Sequence, residues 1–156
     1  MTTETRFEDG KLHVIRTYDA PREAVFEAWV ETHKVEQWWG CDQTIAVKSE
    51  IECKVGGKYA HTMTIEGAGE HPGAGTFTAY DPPARIAWEM PSPVEPGAVM
   101  SVSVDFTEVE GGTRVHLIHA GIPDMEVEGG FPLREIIQGG WSAAFGKLHG
   151  FLAAGV

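Results

Sequence analysis

Seven histidines and two cysteines are the side chains of this sequence best suited to acid–base, nucleophilic or metal chemistry. His116 and His119 spell H-x-x-H, a spacing that suggests a metal pair, but they lie in the alternating stretch TRVHLIHA (113–120). On a strand, residues three apart point to opposite faces, so these two cannot share an ion. Cys41 and Cys53 form no C-x-x-C motif and read as free structural thiols, so no metal site is expected. The stretch EGAGEHPGAGT (66–76) is glycine-rich but lacks the Gly-Lys-Ser/Thr ending and following helix of a phosphate loop, and reads as a hairpin connection. There is no G-x-S-x-G, and no serine stands beside a histidine and an aspartate in a nucleophile motif. Asp124, Glu126 and Glu128 read as a solvated cluster whose charge complements the start of a helix. What survives is a pair. His61 and His119 each fall on the otherwise apolar side of an alternating stretch. Either could serve as general acid or base toward a held ligand, but no second catalytic group stands with them. No catalytic residue is therefore assigned, and no cofactor is implied.

The elements that carry this pair follow from periodicity. Residues 11–18, KLHVIRTY, alternate as a first strand. DAPREAVFEAWV (19–30) starts a helix, with Pro21 suited to its first position and Val25 and Trp29 on its apolar face. THKVEQWW (32–39) reads as a second short helix, stopped at Gly40. From about 43 to 120 the period is two: strands are expected over 44–55, 58–66, 73–81, 84–90, 99–109 and 113–120, separated by Gly and Pro turns that include Pro93 to Gly97. Residues 130–154 return to helical spacing, with Leu133, Ile137, Trp141, Phe145 (or Ala144), Leu148 and Leu152 along one face. One strand, two short helices, six strands and one long helix make an α+β fold. A curved antiparallel sheet of six to seven strands grips the C-terminal helix, the element long enough to cover it.

Composition narrows the function classes. The 156 residues, 42% hydrophobic and 22% charged, suffice for one domain over 1–156 that needs neither disulfide nor metal to fold. A formal charge of −11 repels phosphate backbones and anionic lipid, so neither nucleic acid nor a membrane is expected as partner. The opening MTTETRFEDG is polar, and no later run approaches the ~20 apolar residues of a membrane span, which points to the cytoplasm.

The run RTYDAPREAVFEAWVETHKVEQWWG (16–40) resembles the opening of activator-of-Hsp90-ATPase-homologue-like domains. The resemblance continues through VGGKY (55–59), GTFTAYDPPARIAWEM (75–90), GGTRVHLIHAGIPD (111–124) and GGWSAAFGKLHGFL (139–152), in order over nearly the whole chain. Such domains belong to the START-like (SRPBCC, helix-grip) superfamily, which also holds polyketide cyclases and the birch pollen allergen. The resemblance implies the helix-grip fold and a cavity between sheet and long helix that holds a hydrophobic ligand.

Alternation supplies the lining. Tyr59, His61, Met63 and Ile65 share one face; Phe77 and Ala79, Ile86, Trp88 and Met90, Met100 to Phe106 in steps of two, and Val115, Leu117 and His119 point the same way. The expected ligand-binding residues are Trp39, His61, Met63, Phe77, Trp88, Met100, Val102, Leu117, His119, Trp141 and Phe145, around an aromatic or acyl ligand. Against this stands plain core, because five tryptophans are enough to fill such a cavity. Two other functions are open: a cyclase or dehydratase using a cavity histidine, and a stress-response module acting on an Hsp90-type chaperone. A chaperone partner is not expected, since the chain leaves no room for the further domain of the eukaryotic co-chaperone. A homodimer is compatible with an open sheet edge.

Overall fold

The computed structural model describes residues 3–92, 95–127 and 129–154; Pro93 and Glu128 lie outside the described residues. An eight-stranded antiparallel sheet runs in the order β1-β2-β8-β7-β6-β5-β4-β3. Its strands are β1 (Glu4–Glu8), β2 (Lys11–Tyr18), β3 (Thr44–Ile51), β4 (Lys58–Ile65), β5 (Gly69–Asp81), β6 (Arg85–Pro91), β7 (Val99–Val109) and β8 (Gly112–Ala120). Helices α1 (Arg22–Val30) and α2 (Thr32–Val35) separate β2 from β3. A two-residue pair, β9 (Glu126–Val127) and β10 (Phe131–Pro132), leads into the long helix α3 (Leu133–Ala153). This is the expected α+β helix-grip arrangement, with strand count and boundaries refined.

The extra strand is β1. Its sequence ETRFE pairs in register with β2, from Glu4 opposite Ile15 to Glu8 opposite Lys11. Thr5 and Phe7 are the half-buried side, and they meet α3: Gln138 Nε2 donates to Thr5 Oγ1 at 2.7 Å, and the Arg134 guanidinium lies 5.6 Å from the Phe7 ring centre. A second refinement concerns β5, where the register shifts between Phe77 and Ala79. Phe77 stays inward opposite Trp88, but Ala79 pairs with Ala87 on the outer face, and Tyr80 turns toward the core opposite Ile86. One extra residue at the bulge reverses the alternation beyond it, which corrects the expectation that Ala79 points inward. Pro21 is the residue before α1 rather than its first, and α2 ends at Val35, so Trp38 and Trp39 sit in the turn that follows.

The grip itself is made by buried polar tips. Tyr18 Oη on β2 donates to the Phe145 carbonyl of α3 at 2.9 Å, and Tyr59 Oη on β4 donates to the Trp29 carbonyl of α1 at 2.7 Å. Trp38 Nε1 donates to the Ala28 carbonyl at 2.9 Å. Each aromatic body buries apolar surface while its donor is satisfied at a helix backbone, so strand and helix are tied at a defined height. Burial raises the pKa of both phenols well above the ordinary value, keeping them protonated donors. Among the described residues no helix is long and apolar enough to cross a membrane.

Candidate ligand-binding site

The sharp turn after Trp39 depends on Gly40. Its φ of +98° is left-handed, and a Cβ there would meet Thr44 Oγ1 at 2.5 Å and Met63 Sδ at 3.0 Å. Lys147 on α3 ties this turn to the helix: its ammonium donates to the carbonyls of Trp39 and Cys41 at 3.0 and 3.2 Å. Burial holds the Lys147 pKa below its ordinary value.

Between this turn, the end of β4 and the first half of α3 lies an apolar cleft of about 290 Å³. Trp39, Gly40 and Cys41 line one side, Met63 and Ile65 the sheet side, and Ile136, Ile137, Gly140, Trp141 and Ala144 the helix side. Such a volume lies at the small end of the range for small-molecule pockets. Gly140 contributes by what it lacks, since a Cβ added there would find no atom within 4 Å.

Two tryptophans dominate the walls. The Trp39 and Trp141 rings meet edge to face, 5.3 Å apart at 81°. Each carries a buried histidine that does not itself line the cleft. His61 stacks on Trp39 at 3.9 Å and 22°, with its Nδ1 2.7 Å from Ser49 Oγ. His119 Nδ1 accepts from Trp141 Nε1 at 3.0 Å. Burial pushes the pKa of His61 down to about 3 and that of His119 down to about 4, so both rings are neutral at physiological pH. An indole N–H can only donate, so Nδ1 of His119 is the acceptor and Nε2 carries the hydrogen. The Nε2 atoms of both histidines, and Trp29 Nε1, are buried without a hydrogen-bond partner among the described residues.

Of the residues expected to bind ligand, Trp39, Met63 and Trp141 are brought together along the cleft, and His61 and His119 stand one ring further in. Phe77, Trp88, Met100, Val102, Leu117 and Phe145 are packed in the core, each 5% exposed or less. Trp88 reaches the Trp39 ring at 6.3 Å. Trp29, fully buried, packs against Trp38, Trp39, Trp141 and Phe145 and fills the space behind the cleft. The expected ligand-binding residues did not include Gly40, Cys41, Ile65, Ile136, Ile137, Gly140 or Ala144 of the lining, nor Ser49 as the partner of His61. Ser49 lies opposite His61 because β3 ends at Ile51; closing the expected 44–55 and 58–66 strands directly at Gly56-Gly57 would have set Glu52 there instead.

His116, as expected, points to the other face from His119; its Nε2 lies 2.9 Å from His13 Nδ1. Cys41 and Cys53 are free thiols, and among the described residues no three His, Cys, Asp or Glu side chains are grouped to hold a metal.

Residues 19–153 match the family model described as activator of Hsp90 ATPase homolog 1-like protein. The chain belongs to this family. Its fold is shared with solved structures of low sequence identity. Protein CV1439 from Chromobacterium violaceum is 20% identical over 92% of this chain and 96% of its own, with a TM-score of 0.77. Protein NE0264 from Nitrosomonas europaea is 18% identical over 95% of this chain and 97% of its own, with a TM-score of 0.78. The AHSA1-like protein from Aeromonas hydrophila is 22% identical over 93% of each chain, with a TM-score of 0.72. Comparison with curated proteins returns no match. In this family member the cleft offers apolar contact on three sides, with neutral imidazoles behind it. At pH 7 both rings are neutral hydrogen-bonding groups.

Proposed function

We propose that this family member is a cytoplasmic binder of a small hydrophobic ligand, aromatic or acyl, held non-covalently in the cleft between α3 and the end of β4. The observation that carries this reading is the cleft itself: an opening of about 290 Å³ walled by Trp39, Met63, Ile65, Ile137 and Trp141 in a protein whose interior is otherwise closely packed with aromatic rings. Apolar surface left uncovered at a concave site is stabilised by an apolar occupant, at roughly 25 cal/mol per Å² buried. Native mass spectrometry of gently purified protein, compared with the denatured mass of the same sample, tests it. A non-covalent adduct of small-molecule mass supports the reading. A bare mass, followed by silence in a thermal-shift panel of aromatic and acyl compounds, overturns it.

A further inference from the structure

We propose that this protein holds a divalent transition-metal ion of right-angle coordination, Ni(II) or Cu(II), between His13 Nδ1 of β2 and His116 Nε2 of β8. The site lies on the face of the sheet turned away from α3 and is independent of what the cleft binds. One distance carries the inference: the two nitrogens are 2.9 Å apart, on rings tilted at 46° rather than stacked. Metal–imidazole bonds are about 2.0–2.1 Å long, so an ion touching both nitrogens would see them at an angle of about 90°. That is the cis angle of a tetragonal or octahedral site, which suits Cu(II) and Ni(II). A tetrahedral ion such as Zn(II) needs the nitrogens about 3.3–3.4 Å apart. The backbone sets the bite: β2 and β8 are paired neighbours, with Ile15 opposite His116 and His13 opposite Ile118, so the two imidazoles meet diagonally on one face.

The surroundings prepare the ligand atoms. Glu8 Oε2 stands 3.8 Å from His13 Nε2 and favours a hydrogen on that nitrogen, which leaves Nδ1 bare. The contact is then a hydrogen bond donated by His116 Nε2. An ion takes the place of that hydrogen while the His116 ring carries its hydrogen on Nδ1 instead, so both imidazoles stay neutral and no proton is released. Turning the two lone pairs from each other toward a common ion is a side-chain rotation, and histidine χ2 is soft. His116 also lines an open groove with Asp105 and Thr107, which gives the water ligands of the ion space and acceptors. Water completes the shell, because no third His, Cys, Asp or Glu joins a metal-holding group among the described residues. Arg6 and Arg114 act against a cation here, while Glu8 and Asp105, itself paired with Arg85, act for it. The affinity therefore comes from the two-point chelate and not from the local field.

The test is titration calorimetry of the tag-free, full-length protein with Ni(II), which does not oxidise the free thiols of Cys41 and Cys53, at about pH 7.5, above the ordinary imidazole pKa. One equivalent of Ni(II) is expected to bind, and more tightly than Zn(II). His13→Gln and His116→Gln should each weaken Ni(II) by about a hundredfold, because a single imidazole loses the effective concentration of the chelate. His71→Gln, at an exposed histidine elsewhere, should leave it unchanged. Where a pair variant does not fold, the unaltered protein decides by NMR: substoichiometric Ni(II) broadens the ring resonances of His13 and His116 before those of the exposed His33, His71 and His149. Absence of binding, unchanged affinity in either pair variant, tighter binding of Zn(II), or broadening that begins at the exposed histidines overturns the inference.

Discussion

Lowering the pH from 7 to 5 protonates histidines in the unfolded chain but not the two buried in the folded one, and should cost this protein much of its stability. In an unfolded chain a histidine takes up its proton near pH 6.5. In the folded chain burial delays that event to about pH 3 for His61 and about pH 4 for His119. Between those limits the unfolded state binds more protons than the folded one, so stability falls as pH falls, beginning near 6.5 and ending once the folded values are passed. Integrated from pH 7 to pH 5, each histidine contributes a loss of about 2 kcal/mol, and the two together about 4 kcal/mol. Small domains have only about 5–15 kcal/mol in total, so the effect is large enough to measure by urea unfolding followed through tryptophan fluorescence. The informative comparison is between the unaltered protein and the variants His61→Asn and His119→Asn at pH 7, 6 and 5. Each variant should lose about 2 kcal/mol less across that range than its parent, whatever its absolute stability. Burial also lowers the pKa of His116 on the outer face, but His116 and the carboxylates are common to all three proteins and cancel. Parallel pH profiles for parent and variants would refute the claim that these imidazoles are held neutral by burial.

Five substitutions at four positions probe the site and its frame. Gly140→Ala should stabilise the protein by about 1 kcal/mol through helix propensity, because the added methyl meets no atom; Gly140→Leu should fill the cleft and abolish binding of any probe, read by calorimetry. Trp29→Ala should cost about 3–5 kcal/mol in urea unfolding, as a fully buried ring. Trp141→Ala should cost clearly less, because part of its surface borders the open cleft; equal losses would show that Trp141 is plain core. Glu36 Oε2 accepts from the Ser49 backbone N–H of edge strand β3 at 2.7 Å. Glu36→Ala should cost about 1–3 kcal/mol and leave that edge open to pairing, visible as self-association in sedimentation.

Much of this fold was legible because alternation and helical spacing are local properties of the chain. The period of two from about 43 to 120 determined the strands and the inward position of His61 and His119, and it separated His116 from His119 without any structure. The spacing from Leu133 to Leu152 determined the long helix, and the motifs from Ala20-Pro21 to Gly140-Trp141 determined the family. Strand β1 escaped notice because its one apolar residue, Phe7, is held by Arg134 and Gln138 comes to Thr5, partners more than a hundred residues away. The bulge at Phe77 and Ala79 is a matter of register between two strands, which composition does not encode. The site divides in the same way. That tryptophans and histidines would face one another inside was readable; which of them border free space was not. Whether a cavity stays open depends on how the volumes of Trp29, Trp38, Trp39, Trp88 and Trp141 fill it from separate elements, and on Gly40 and Gly140, which shape the cleft by having no side chain. Only tertiary packing decides where atoms are missing, because that is set by every neighbour at once and by no residue alone.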